Sequence, residues 1–248
     1  MKKLFAQNRE VFLSRIHIIL ILLAVILIDN MLSGKNPTVH VFRYWLPLSG
    51  RTIVIDAGHG GIDGGTYHKD GTLEKNINLQ VALKIKNLME KRGANVIMTR
   101  TQDVSLDSLN NKSDYRHKRD LIARSDIINK ARPDIFISVH VNAERSSTST
   151  RGPMVIYYRE SEKSRRLAEF VQKRLEEAYI AAGQKIRARK PLSNSTLFLL
   201  CNTDVPGVIV ELGFITNPAD KSLMVKEEFQ QKLSQHILFA VEDYFKKS

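Results

Sequence analysis

Hydrophobic and polar positions divide the chain into two regimes. Ile18 to Ile28 form an unbroken apolar run with no polar face. From Arg51 onward, short β-branched runs alternate with stretches of helical periodicity, which predicts an α/β sandwich with a largely parallel sheet. The predicted strands are Thr52–Asp56, Asn95–Thr99, Asp134–Val139, Met154–Tyr158 and Gly207–Val210. A helix is predicted over Glu74–Arg92, with Ile77, Val81, Ile85 and Leu88 on one face and Gly93 as its stop. Lys118–Ala131 ends before Arg132-Pro133, where the residue preceding proline resists the helical conformation. Ser161–Ala182 opens on a serine cap and closes at Gly183. The last helix has Asn217 as cap and Pro218 at its first position, and runs with a break to about Phe245. No internal repeat or low-complexity segment interrupts this order.

Charge changes the reading of the apolar run. Lys2, Lys3, Arg9 and Arg15 precede it, and the next cation is Lys35, so the N-terminus is expected on the cytoplasmic side and the remainder outside. Eleven residues is signal-peptide length, but no Ala-x-Ala site follows, so residues 1–35 read as an uncleaved signal-anchor. The alternative is export and secretion after cleavage. Residues 36–50, with Pro37 and Pro47, read as a tether, and 51–248 as one folded domain. The whole chain has 38 Lys and Arg against 26 Asp and Glu, a net +12. Residues 1–35 hold five cations and two anions, which leaves +9 on the rest. That charge calls for an anionic partner, with nucleic acid, acidic lipid and acidic wall polymer as the classes to separate. The single cysteine, Cys201, excludes an internal disulfide framework and a multi-cysteine metal cluster.

Chemistry enters at the strand ends. The first strand runs into Gly58-His59-Gly60-Gly61, the third into His140 and the fifth into Glu211, while Glu74 opens the first helix. The C-terminal edge of an open α/β sheet is where ligands bind. Singly, each residue has a plain structural explanation: a glycine-turn histidine, a satisfied core histidine, a helix-start acid, an internal salt bridge. Jointly, two imidazoles and two carboxylates suit three zinc ligands and one free carboxylate for proton transfer. The glycines Gly58, Gly60 and Gly64 do not make a dinucleotide loop, because the helix starts only at about Glu74. No Gly-Lys-Ser/Thr follows, which excludes a P-loop.

Val54 to Gly61, then Gly71 to Lys75, Thr99-Arg100, Asp103, Leu121 with Arg124 and Asn129, Phe136 to Ala143, and Val210 to Asn217 together resemble the zinc-dependent N-acetylmuramoyl-L-alanine amidases of bacterial cell walls. The segments keep the family's order from about Arg51 to Phe245. The resemblance implies a three-layer α/β sandwich whose twisted, mostly parallel mixed sheet of about six strands is flanked by helices. It implies one zinc per chain held by His59, Glu74 and His140, Glu211 as the catalytic carboxylate, and scaffold or substrate-side roles for Asn142, Arg124 and Asn129. The implied reaction is hydrolysis of the amide between the lactyl group of N-acetylmuramic acid and L-alanine of the stem peptide. Peptidoglycan is then the partner rather than nucleic acid, and an accessory protein is compatible with the resemblance. Only Ala143 to Arg151 separates Asn142 from Gly152, too short for the site-plugging helix of some relatives. The short anchored layout resembles the germination-specific amidases of spore-forming bacteria, which implies muramic lactam formation in the spore cortex. The competing class is a non-catalytic, membrane-tethered wall-binding protein of the same fold, clasping polymer through Lys163, Arg165, Arg166, Lys173, Arg174, Lys185, Arg187, Arg189 and Lys190. A binding-only relative could lose the four site residues, which are all present here.

Overall fold

The computed structural model describes residues 46–246, together with residues 17, 20–25 and 27–28, which are helical. Most of the expected 1–35 anchor and 36–45 of the tether lie outside the described residues. Among the described residues, no helix is long and apolar enough to cross a membrane. The end of the tether packs on the domain: Leu48 is fully buried and its amide donates to Arg92 O at 2.9 Å.

The elements run β1 (Thr52–Ala57), α1 (Glu74–Lys91), β2 (Asn95–Met98), α2 (Arg116–Ala131), β3 (Ile135–Asn142), β4 (Met154–Tyr158), α3 (Glu162–Ala181), β5 (Leu192–Asn194), α4 (Phe198–Cys201), β6 (Gly207–Phe214), α5 (Pro218–Met224) and α6 (Glu227–Lys246). The six strands form one sheet in the order β2-β1-β3-β6-β4-β5. β2, β1, β3 and β6 are mutually parallel, and β4 and β5 run the other way. The sheet is therefore mixed: four parallel strands run from the β2 edge inward, and the β4–β5 pair forms the other edge.

Both faces of the central strands are covered, which is why they read as nearly continuous apolar runs. Side-chain alternation along each strand sorts them between two cores. Ile53 and Ile55 of β1, Ile135, Ile137 and Val139 of β3, and Val208, Val210 and Leu212 of β6 join the larger core with α1, α3 and α6. Val54, Phe136 and Ile209 face the other way, onto Ile128 of α2 and Leu199 and Leu200 of α4. The same period puts Asp56, Ser138, His140 and Glu211 on this second, thinner side.

Helix ends follow local chemistry. Ser161 caps α3 by accepting from Ser164 N at 3.2 Å. Asn217 caps α5 by accepting from the amides of Ala219 and Asp220 at 3.0 and 3.1 Å. Gly93 and Gly183 take positive φ just beyond α1 and α3. Two differences from the sequence reading bear on the site. β3 and β6 continue through His140 and Glu211 rather than stopping before them. β5 and α4, three and four residues long, were not anticipated; elements that short carry no readable period.

Candidate metal centre

β1 delivers the chain to Gly58, whose amide continues the ladder to β3 by donating to Val139 O at 3.0 Å. No side chain fits there, because a Cβ on Gly58 would stand 2.3 Å from the His140 ring. His59 follows in a left-handed conformation, φ 61°, which a non-glycine residue holds only when its surroundings enforce it. Gly60 and Gly61, at φ 140° and 58°, turn the chain back so that Gly60 and Asp63 pair at 2.9 and 3.1 Å. Asp63 Oδ2 thereby comes to lie 2.9 Å from His59 Nδ1. His59 Nε2 lies 3.2 Å from Glu74 Oε1.

Glu74 is the first residue of α1 and is 3% exposed. Its Oε1 accepts from Val141 N at 3.0 Å and Asn78 Nδ2 at 3.2 Å, and its Oε2 from Thr66 N at 2.8 Å. Burial opposes its ionisation, but hydrogen bonds and charge from His140 and His59 hold it well below the ordinary carboxylate range. His140, in β3, brings Nδ1 to 3.0 Å from the same Glu74 oxygen. Burial likewise opposes protonation of His59, while Asp63 and Glu74 raise it to about 10.

One donor atom each from His59, Glu74 and His140 lies within 4.8 Å of the others. The two nitrogen-to-oxygen separations, 3.0 and 3.2 Å, are close to the edge of about 3.4 Å of a tetrahedron with metal–ligand bonds of about 2.1 Å. Two imidazoles and one carboxylate are also a donor set suited to zinc. Glu211 completes the grouping. It pairs in register with His140 across β3 and β6, and its buried Oε2 has no hydrogen-bond partner. Burial pushes its carboxyl up to about 7; the Glu74 charge adds to that, and the two histidines oppose it.

Arg124 lies behind the turn, 2% exposed. Its guanidinium donates to Asp56 at 2.6 Å, to Asp120 at 2.6 Å, and to the carbonyls of Ala57 and His59 at 2.8 and 2.7 Å. Arg100 donates to Ala57 O at 2.8 Å, and to Gly58 O and Lys75 O at 3.0 Å each. The two arginines thus hold the backbone that carries His59. Asn129 lies apart, bridging α2 to Asn202 O and Asp204 N at 3.0 Å each. Asn142 ends β3, and its side chain accepts from Ala143 N at 2.7 Å. A cleft of about 200 Å³ opens beside His59 and His140, lined also by His117 and Leu121 of α2 and by Leu197 and Phe198. Asp63, Asn78 and Asp56 were not singled out from sequence. The available signals were spacing, four residues beyond His59 and Glu74 respectively, and an acid inside an apolar strand.

A sheet of this topology with this centre defines an α/β enzyme whose site can take a metal ion. Residues 53–243 match the N-acetylmuramoyl-L-alanine amidase family. The chain is 33% identical over 209 residues to the germination-specific N-acetylmuramoyl-L-alanine amidase of Bacillus subtilis (strain 168), covering 81% of this chain and 82% of that protein. It is 32% identical over 203 residues to the probable cell wall amidase LytH of a Staphylococcus epidermidis strain, covering 80% of this chain and 60% of that one. The solved CwlD amidase from Clostridioides difficile, in complex with the GerS lipoprotein, superposes with a TM-score of 0.74 at 31% identity, covering 80% of this chain and all of that one. The chain belongs to the N-acetylmuramoyl-L-alanine amidase family and is a peptidoglycan amidase.

Proposed function

We propose that the chain is a zinc amidase that cuts between the lactyl group of N-acetylmuramic acid and L-alanine of the stem peptide. His59, Glu74 and His140 hold the ion, and Glu211 is the catalytic base. The observation that carries this reading is the buried, unpartnered Oε2 of Glu211 beside a three-donor cluster. When bound, zinc supplies Lewis-acid polarisation of the scissile carbonyl and lowers the pKa of a water molecule.

Glu211 does the proton work. A carboxyl raised to about 7 is matched to accepting and returning a proton near neutrality. Its Oε2 takes a proton from the attacking water, whose oxygen bonds to the lactyl carbonyl carbon. The carbon–nitrogen bond breaks, and Glu211 returns the proton to the departing alanine nitrogen. The products are a lactyl carboxylic acid and a stem peptide with a free amine. Arg124 and Arg100 keep the His59 turn in place throughout by holding its carbonyls.

The wider reading has residues 1–35 as a signal-anchor, 36–50 as a tether and 51–248 as a catalytic domain facing the wall. The B. subtilis relative's germination-specific name supports a role in spore cortex maturation, with muramic lactam formation downstream. The GerS complex of the C. difficile relative supports an accessory protein as a partner. The test uses the full chain on purified peptidoglycan, with and without chelator, beside Glu211→Gln. About one zinc per chain is expected, with free L-alanine amines appearing only when both metal and Glu211 are present. Full activity in the Gln variant overturns the base assignment, and activity in metal-stripped protein overturns the metal assignment.

A further inference from the structure

Asp63 has no task in the reaction as proposed, yet the loop around it is built to bring it back over His59. The turn at Gly60 and Gly61 closes against residues 104 and 105, and a Cβ there would meet Val104 O at 2.3 Å or Ser105 N at 2.7 Å. Beyond Asp63, Gly65 also has positive φ, and a Cβ on it would stand 2.5 Å from Glu74 Oε2 and 2.7 Å from the His59 ring. Gly65 therefore brings bare backbone against the imidazole, while Gly60 and Gly61 fit the turn against residues 104 and 105.

The two oxygens of Asp63 have separate partners. Oδ1 accepts from Gly65 N at 3.0 Å, which shapes the loop. Oδ2 faces His59 Nδ1 at 2.9 Å, and His117 Nδ1 at the cleft mouth lies 3.7 Å from the same oxygen. An imidazole that donates from one ring nitrogen presents a lone pair on the other, and the partner of the first nitrogen sets both tautomer and ring orientation.

We propose that Asp63 is a positioning residue of the centre: Oδ2 keeps the His59 proton on Nδ1 and turns Nε2 toward the ion. The inference rests on the zinc reading above. Its loop-shaping contact through Oδ1 is distinct, so a purely structural Asp63 would affect folding without affecting the tautomer.

The test compares full-length wild type with Asp63→Ala and Asp63→Asn in mild detergent. Zinc affinity is read by competition with a chromogenic chelator, and the His59 Nδ1–H proton by nitrogen-edited NMR of zinc-loaded protein. Wild type should show a low-field Nδ1–H signal. Asp63→Ala should lose that signal and bind zinc about 10–100-fold more weakly. Asp63→Asn keeps an acceptor for Gly65 N without the charge, so its zinc affinity should fall between the two. Zinc affinity or an Nδ1–H signal in Asp63→Ala equal to wild type overturns the inference. Should the Ala variant not fold, the Asn variant decides: identity with wild type in both readouts overturns it. A wild type that binds no zinc instead removes the metal reading itself, and the Asp63 role with it.

Discussion

Glu211 and Asp56 are acids on the same side of the sheet with opposite environments. Asp56 is 1% exposed; burial raises its pKa, but Arg124 and hydrogen bonds from Ser138 and Thr99 outweigh that and bring it down to about 2. Glu211 has no such partners, and burial leaves its carboxyl at about 7. The first is built to stay ionised and the second to exchange a proton. Glu211→Gln should therefore lower kcat by about 10²–10⁴-fold and leave zinc content unchanged, measured by released amine and metal analysis. Asp56 carries a stability prediction whose sign follows from its depressed pKa. Its contribution is complete above the unfolded value of about 3.8 and is lost as pH falls through the folded value, a difference of order 2 kcal/mol. The gap in unfolding free energy between wild type and Asp56→Asn, read from urea titrations, should shrink by that amount between pH 5 and pH 2. A constant gap would mean that Asp56 is not held ionised by Arg124.

Elements were legible where their signals are local. The start of α3 is one such case: Ser161 and the following period are both in the sequence, and the hydroxyl accepts from Ser164 N. Ser161→Ala should cost about 1 kcal/mol and lower the melting temperature by about 2–4 °C, with activity per folded molecule unchanged. β6 is the contrary case. Its apolar run breaks at Glu211, so the strand reads as ending at Val210, whereas pairing with β3 carries it on to Phe214. His140 interrupts β3 in the same way. A polar residue inside a central strand is tolerated where it faces a site, and only the neighbouring strand reveals that. The candidate site was legible as four residues gathered on one part of the sheet, because a polar residue breaking an apolar run marks its place even where the strand runs on past it. What holds those residues was not. Asn78, Asp63 and Arg100 act through loop and helix geometry, and no pattern of hydrophobicity encodes that a glycine turn brings an acid back over a histidine.

Across the whole molecule, charge and chemistry belong to different parts of one reading. The +9 outside residues 1–35 is not spent entirely on internal pairing. Arg165 pairs with Glu162 and Glu169, and Arg174 with Glu177 and Asp243. Lys163, Lys173, Lys185, Arg187 and Lys190 have no ion-pair partner among the described residues. Unpaired surface cations add little to stability, but they attract an anionic polymer over a distance set by screening. Raising ionic strength from about 0.01 to about 0.1 M shortens the Debye length from about 30 to about 10 Å. If these cations gather the enzyme onto the wall, initial hydrolysis of intact peptidoglycan should fall about 10-fold over that range. Cleavage of a short soluble muropeptide, which the centre meets by diffusion, should change much less. Replacing Lys173, Lys185, Arg187 and Lys190 together by glutamine should flatten the first dependence and spare the second. Equal salt dependence for polymer and fragment would place the electrostatic effect in the catalytic cleft instead, at the residues around His59 and Arg124.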